Sequence, residues 1–178
     1  IQSIRKEFAV ALKFYLKQNS CPAAGLFEFF TVYGECGSPL YRFLGERNSF
    51  TSKILLQDFQ GLERAHITRV GTAVLSQYII YSQGRSQAFI LHSIATKGQP
   101  YRIKGIDWTL AGNIYTRNYE IRQKSGALVM RHSSCWKAAE PAFSLDIMQE
   151  CDRDLALCIA AIIDSTLVSG EPTPVPVS

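Results

Sequence analysis

Hydrophobic and polar positions alternate with period two through most of the chain. Leu12, Phe14 and Leu16 are interleaved with Lys13, Tyr15 and Lys17, the pattern of a strand with one apolar face. The same texture returns in FEFFTVYGECGSPLYRF from Phe27, KILLQDFQGLERAHI (53–67), QYIIYSQGRSQAFIL (77–91) and NYEIRQKSGALVMRH (118–132). Each has an apolar or aromatic run, a short polar turn and a second semi-apolar run. This predicts four β-hairpins turning at Gly37, Gly61, Gly84 and Gly126. Their similar lengths suggest a repeated unit, too irregular for a solenoid.

Between the third and fourth hairpins lies YRIKGIDWTLAGN, where the apolar phase set by Tyr101 and Ile103 moves to Ile106, Trp108 and Leu110. A strand cannot change phase without an extra residue, so a bulge is expected at Gly105. A last strand is expected over 143–147, giving about a dozen in all. One strong helix follows over 152–167, with Asp152 and Asp154 suited to capping its N-terminal end. Residues 155–163 are nine apolar residues in a row and cover every direction around a helix. Such a helix rises only about 14 Å, too short for a ~30 Å membrane core. It also lacks the polar face of a helix lying on a sheet. A helix apolar all round must be enclosed. The fold expected is therefore mainly β: a closed barrel of about twelve antiparallel strands around a buried hydrophobic C-terminal helix.

Composition narrows the class. With 178 residues, 47% apolar and 19% charged, the chain suits one globular domain, placed at 12–168. A lead-in at 1–11 precedes it, and a Pro-rich flexible tail follows at 169–178. The net charge of +4 favours an anionic surface but is too weak to indicate nucleic acid. Cys21, Cys36, Cys135, Cys151 and Cys158 are odd in number and form no C-x-x-C pair, so free thiols in a reducing cytoplasm are expected.

The segment GIDWTLAGNIYTRNYEIRQKSGALVMRHSSCWKAAEPAFSLDIMQE, followed by an apolar helix ending in Ile-Asp, resembles the LURP-one-related family. That family shares its fold with the tubby C-terminal domain and the phospholipid scramblases. The likeness runs from about Leu12 to Leu167 and is best over 101–167. It is carried by Gly105 to Trp108, the Ala-Gly-Asn before the next strand, Tyr-Glu-Ile at 119–121 and Ser-Cys-Trp-Lys at 134–137. The resemblance implies a tubby-like barrel and a relative of lipid-associated proteins. An active scramblase is the rival reading.

Motifs for chemistry are sparse. His66, His92 and His132 are each expected on the second strand of a hairpin, without the spacing of a zinc site. No Walker A, G-x-G-x-x-G or G-x-S-x-G motif occurs, and Cys135 near His132 is not triad geometry. Asp146, Glu150, Asp152 and Asp154 lack the loop pattern of a calcium site. No enzyme, cofactor or metal is expected.

The informative cluster is basic. If 111–113 form a turn, position 104 lies opposite 120 and 102 opposite 122. If Ser125-Gly126 form a two-residue turn, 120 lies opposite 131 and 121 opposite 130. Tyr119, Ile121, Leu128 and Met130 then face the core. Arg102, Lys104, Arg122, Lys124 and Arg131 share the outer face with Glu120. These five cations are the candidate site for an anionic lipid head group. The function expected is a binding or scaffolding module, peripheral to a membrane or docked on a protein partner, with no nucleic acid.

Overall fold

The structure, a computed structural model, describes residues 10–19, 25–47, 53–135 and 142–169. In chain order its strands are β1 (Leu12–Gln18), β2 (Gly25–Gly34), β3 (Pro39–Arg47), β4 (Lys53–Asp58), β5 (Glu63–Gly71) and β6 (Leu75–Ser82). They continue with β7 (Arg85–Ser93), β8 (Tyr101–Lys104), β9 (Trp108–Asn113), β10 (Asn118–Gln123), β11 (Leu128–Cys135) and β12 (Ala142–Ile147). A 3-10 turn over Glu150–Asp152 leads into the helix α1 (Arg153–Ser169). The tail beyond Ser169, most of the lead-in and Cys21 lie outside the described residues.

All twelve strands form one sheet, ordered β8-β7-β6-β5-β4-β3-β2-β1-β12-β11-β10-β9. Neighbours pair antiparallel, and the first strand joins the last, with Leu12 opposite Ile147 and Leu16 opposite Phe143. That junction leaves β8 and β9 as the two margins of a nearly closed barrel. Inward-facing Leu16, Phe43, Leu56, Ile80, Ile121 and Leu145 are fully buried, as period two requires.

The helix fills the barrel. Every residue from 156 to 164 is at most 4% exposed, so the apolar run is enclosed on all sides. Burying Leu157, Ile159, Ile162 and Ile163 contributes about 1.5–3 kcal/mol each before entropy is counted. Asp154 lies in the first helical turn, where the dipole favours an anion. Its carboxylate receives Arg153 Nε at 3.0 Å and Arg64 Nη2 at 3.4 Å, so it serves an ion pair rather than a backbone cap. Asp152 belongs to the 3-10 turn ahead of the helix.

Three local expectations are corrected. Gly105 is the corner between two separate strands, not a bulge in one, because its φ of +82° turns the chain from one sheet margin to the other. Ala-Gly-Asn is no turn. Gly112 sits within β9 at a left-handed φ of +96°, where an added Cβ would meet Asn118 O at 2.9 Å, so this glycine serves both that backbone conformation and close strand approach. The turn follows at 114–117, where Asn113 Oδ1 accepts from Tyr115 N at 2.9 Å and Thr116 N at 3.3 Å. Finally, Gly126 N donates to Gln123 O and Gln123 N to Ala127 O, both at 2.8 Å. The β10–β11 turn therefore centres on Lys124-Ser125, with Gly126 left-handed at φ +93° and a register shift after Ile121. The shift buries Val129 and leaves Leu128 only half-buried.

Candidate ligand-binding site

The barrel is open along one line. β8 pairs only with β7 and β9 only with β10, so the two margins face each other across a seam without a ladder between them. At the foot of the seam the corner at 105–107 is tied to the next hairpin by Lys124 N donating to Asp107 O at 2.8 Å. Above it lies a cavity of about 370 Å³ lined by residues 101–106, Trp108, Thr109, Leu110 and Lys124. Ile103, Ile106, Trp108 and Leu110 make an apolar floor, and Arg102, Lys104 and Lys124 supply charge. No carboxylate lines it. Among the described residues these three cations form no ion pair. Tyr101 closes one wall, its hydroxyl bonded to Thr166 of the helix, and burial pushes its phenol up to about 12.

The five basic residues singled out from the sequence divide into two groups. Arg102 and Lys104 are exposed on β8, opposite Leu91 and Phe89, and meet Lys124 at the seam. Arg122 and Arg131 lie elsewhere on the outer wall and are both bound to Glu120, at 2.6 and 2.9 Å. Those hydrogen bonds, Arg131 first and then Arg122, hold the Glu120 carboxyl below its usual range. Glu120 pairs with Arg131 and Ile121 with Met130, as the hairpin reading required. The other register fails. Glu120 lies opposite Ala111 and Arg122 opposite Thr109, so Arg102 and Arg122 are not cross-strand neighbours and Lys104 does not border Glu120. The misplaced turn at 111–113 is the cause.

The family model described as LURP-one-related matches residues 12–164. The chain belongs to the LURP-one-related family. An X-ray structure of an Arabidopsis thaliana protein is similar, with a TM-score of 0.58 and 12% identity over 88% of this chain and 91% of that one. At that identity the likeness concerns the fold. No curated protein matches the sequence.

A second polar cluster in this LURP-one-related chain lies inside the barrel, and it was not legible as a site. Asp164, fully buried near the end of α1, receives Arg117 Nη1 at 3.0 Å and faces His132 Nε2 at 2.8 Å. His132 Nδ1 faces the Arg117 carbonyl at 2.8 Å, which can only accept, so Nδ1 carries a proton. The ring is stacked on Tyr119 at 4.3 Å, and Arg117 lies over Phe143 at 5.0 Å. Burial, with Asp164 nearby, drives the Tyr119 phenol well above its ordinary value. With both ring nitrogens engaged and the ring buried, His132 cannot activate Cys135. The only hint in the sequence was an Asp closing a run of apolar residues.

The remaining histidines are on second hairpin strands as expected. His66 stacks on Tyr81 and bonds Glu63 at 2.7 Å, while His92 stacks on Tyr101. Among the described residues no group of three or more His, Cys, Asp or Glu is placed to hold a metal. Cys36, Cys135, Cys151 and Cys158 are free thiols, and burial pushes the Cys158 thiol up. No helix among the described residues is long and apolar enough to cross a membrane.

Proposed function

We propose that the chain is a non-enzymatic binding module whose ligand is an anionic amphiphile, a phosphate-bearing lipid, seated in the seam between β8 and β9 at a cytoplasmic membrane surface. One observation carries this reading: an apolar floor under three cations that have no ion-pair partner among the described residues, in a cavity with no carboxylate in its lining. A phosphate satisfies cations by charge-assisted hydrogen bonds of about 1.5–3 kcal/mol each, and an acyl chain removes Ile103, Ile106 and Leu110 from water. Family membership and the tubby-like barrel support a binding role in general.

Titration of inositol hexakisphosphate and of a short-chain anionic phospholipid tests the assignment. Arg102→Glu with Lys104→Glu should abolish binding of both, while Arg122→Glu with Arg131→Glu should change it little, because Glu120 already occupies that pair. Equal losses from the two double variants would move the site to the wall of β10 and β11. No binding by the wild type at low salt would remove the proposal.

A further inference from the structure

The two ends of the barrel differ in their acidic residues. Where α1 enters, the turns and connections carry Glu35, Asp58, Glu63, Asp107, Glu150 and Asp152, together with the cations Arg85, Lys104 and Lys124. Where α1 finishes, three successive described connections join β5 to β6, β7 to β8 and β9 to β10. The segments 69–76, 93–101 and 113–118 that contain them have no acidic residue, and their charges are Arg69, Lys97 and Arg117. Arg117 is held by buried Asp164; Lys97 is exposed, as is Lys53 at the same end of β4.

That end also exposes apolar side chains at its tips: Val74 at 52%, Leu75 at 55%, Ile94 at 62% and Tyr115 at 68%. Ile94 N donates to Val74 O at 3.1 Å, which ties the first two connections together. The second connection leads into β8 and the third leaves β9, so Ile94 and Tyr115 flank the end of the seam. Exposed apolar groups alone do not decide a partner. Phe59 and Leu62 are also exposed at the other end, but between Asp58 and Glu63. Apolar tips carried on separate turns, with cations and no carboxylate beside them, match an anionic bilayer surface, whose interface accepts isolated side chains that a flat protein face would leave unpacked.

We infer that the end of the barrel where the helix finishes docks on an anionic lipid bilayer, with Val74, Leu75, Ile94 and Tyr115 entering the interface and Lys53 and Lys97 facing the head groups. This rests on the membrane half of the reading above and not on a ligand in the seam.

Sedimentation with phosphatidylcholine vesicles, with and without phosphatidylserine, tests it. The full chain should bind the phosphatidylserine vesicles and be released by salt. Val74→Asp with Ile94→Asp should weaken binding by about tenfold or more, since each change removes an inserted apolar group and adds repulsion. Phe59→Asp with Leu62→Asp, at the acidic end, should bind like wild type. Ile94→Trp should show a blue-shifted emission with these vesicles and none with inositol hexakisphosphate.

Absence of vesicle binding by the wild type, or equal loss in both Asp double variants, would overturn the inference. So would a change in the solution mass of Val74→Asp with Ile94→Asp alongside unaltered vesicle binding, which would make a second copy the occupant. Retained inositol hexakisphosphate binding in that variant, with vesicle binding lost, supports the docking face and leaves the seam assignment intact. Loss of vesicle binding only in the seam variant would instead place the contact at the seam and overturn the docking face.

Discussion

Asp164 shows how one residue can be visible in a sequence while its role is hidden. Its partners His132 and Arg117 are 32 and 47 residues away, so no local pattern connects them. Removing one member of a buried ion pair leaves the others uncompensated. Asp164→Ala should therefore cost about 3–5 kcal/mol in urea unfolding, discounted toward the lower figure because Arg117 retains some exposure. Tyr119 is the opposite case. Its buried hydroxyl has no hydrogen-bond partner among the described residues, so Tyr119→Phe should be neutral or stabilising by about 1 kcal/mol in the same measurement. Glu120 is half-buried but its partners Arg122 and Arg131 reach solvent, so the pairs contribute under about 1 kcal/mol. Because its folded carboxyl lies below the unfolded value, that contribution is present above the ordinary carboxylate range and lost as pH falls through the folded value. The gap between wild type and Glu120→Gln in pH-dependent unfolding should close on acidification. At neutral pH the same variant frees two arginines and should raise affinity for inositol hexakisphosphate.

At the scale of elements, the helix was the most legible feature. An apolar run with no polar face, too short to cross a membrane as a helix, has one outcome in a folded chain, and enclosure follows from the residues themselves. Ile159→Lys puts an unpaired charge where exposure is 0%, so it should abolish soluble folding; a cooperative melt of that variant would contradict the enclosure. Cys158 gives a milder check on the same element. Alkylation of the native protein should be rapid at exposed Cys36 and Cys151 and slow at Cys158 until denaturant is added. Strand registers were legible unevenly: one survived a misplaced turn and the other did not. The hairpin of β10 and β11 kept Glu120 opposite Arg131 despite its bulge, because an alternation with one apolar face tolerates little slippage. β9 and β10 were set wrongly because Ala-Gly-Asn has turn composition. A glycine with positive φ in a turn and one like Gly112, with positive φ and close contact inside a strand, look alike in sequence.

For the molecule as a whole, the seam is the feature with functional weight. β8 has four residues and one neighbour, so hydrogen exchange over 101–107 should outpace exchange from α1. Ligand bound in the seam should slow exchange over 101–110; protection confined to another wall would contradict the assignment. Alternation and the apolar run were enough to determine a barrel of about twelve strands with an enclosed helix, because period and burial are properties of consecutive residues. They also marked five cations as notable without showing which were already neutralised. Tertiary structure alone decided where the barrel stays open, that Arg102, Lys104 and Lys124 gather there while Glu120 holds Arg122 and Arg131, and that Asp164 is clamped from a turn and a strand. Those outcomes depend on which distant segments meet when the sheet curls around the helix, and pairing at long sequence separation leaves no trace in the local order of residues.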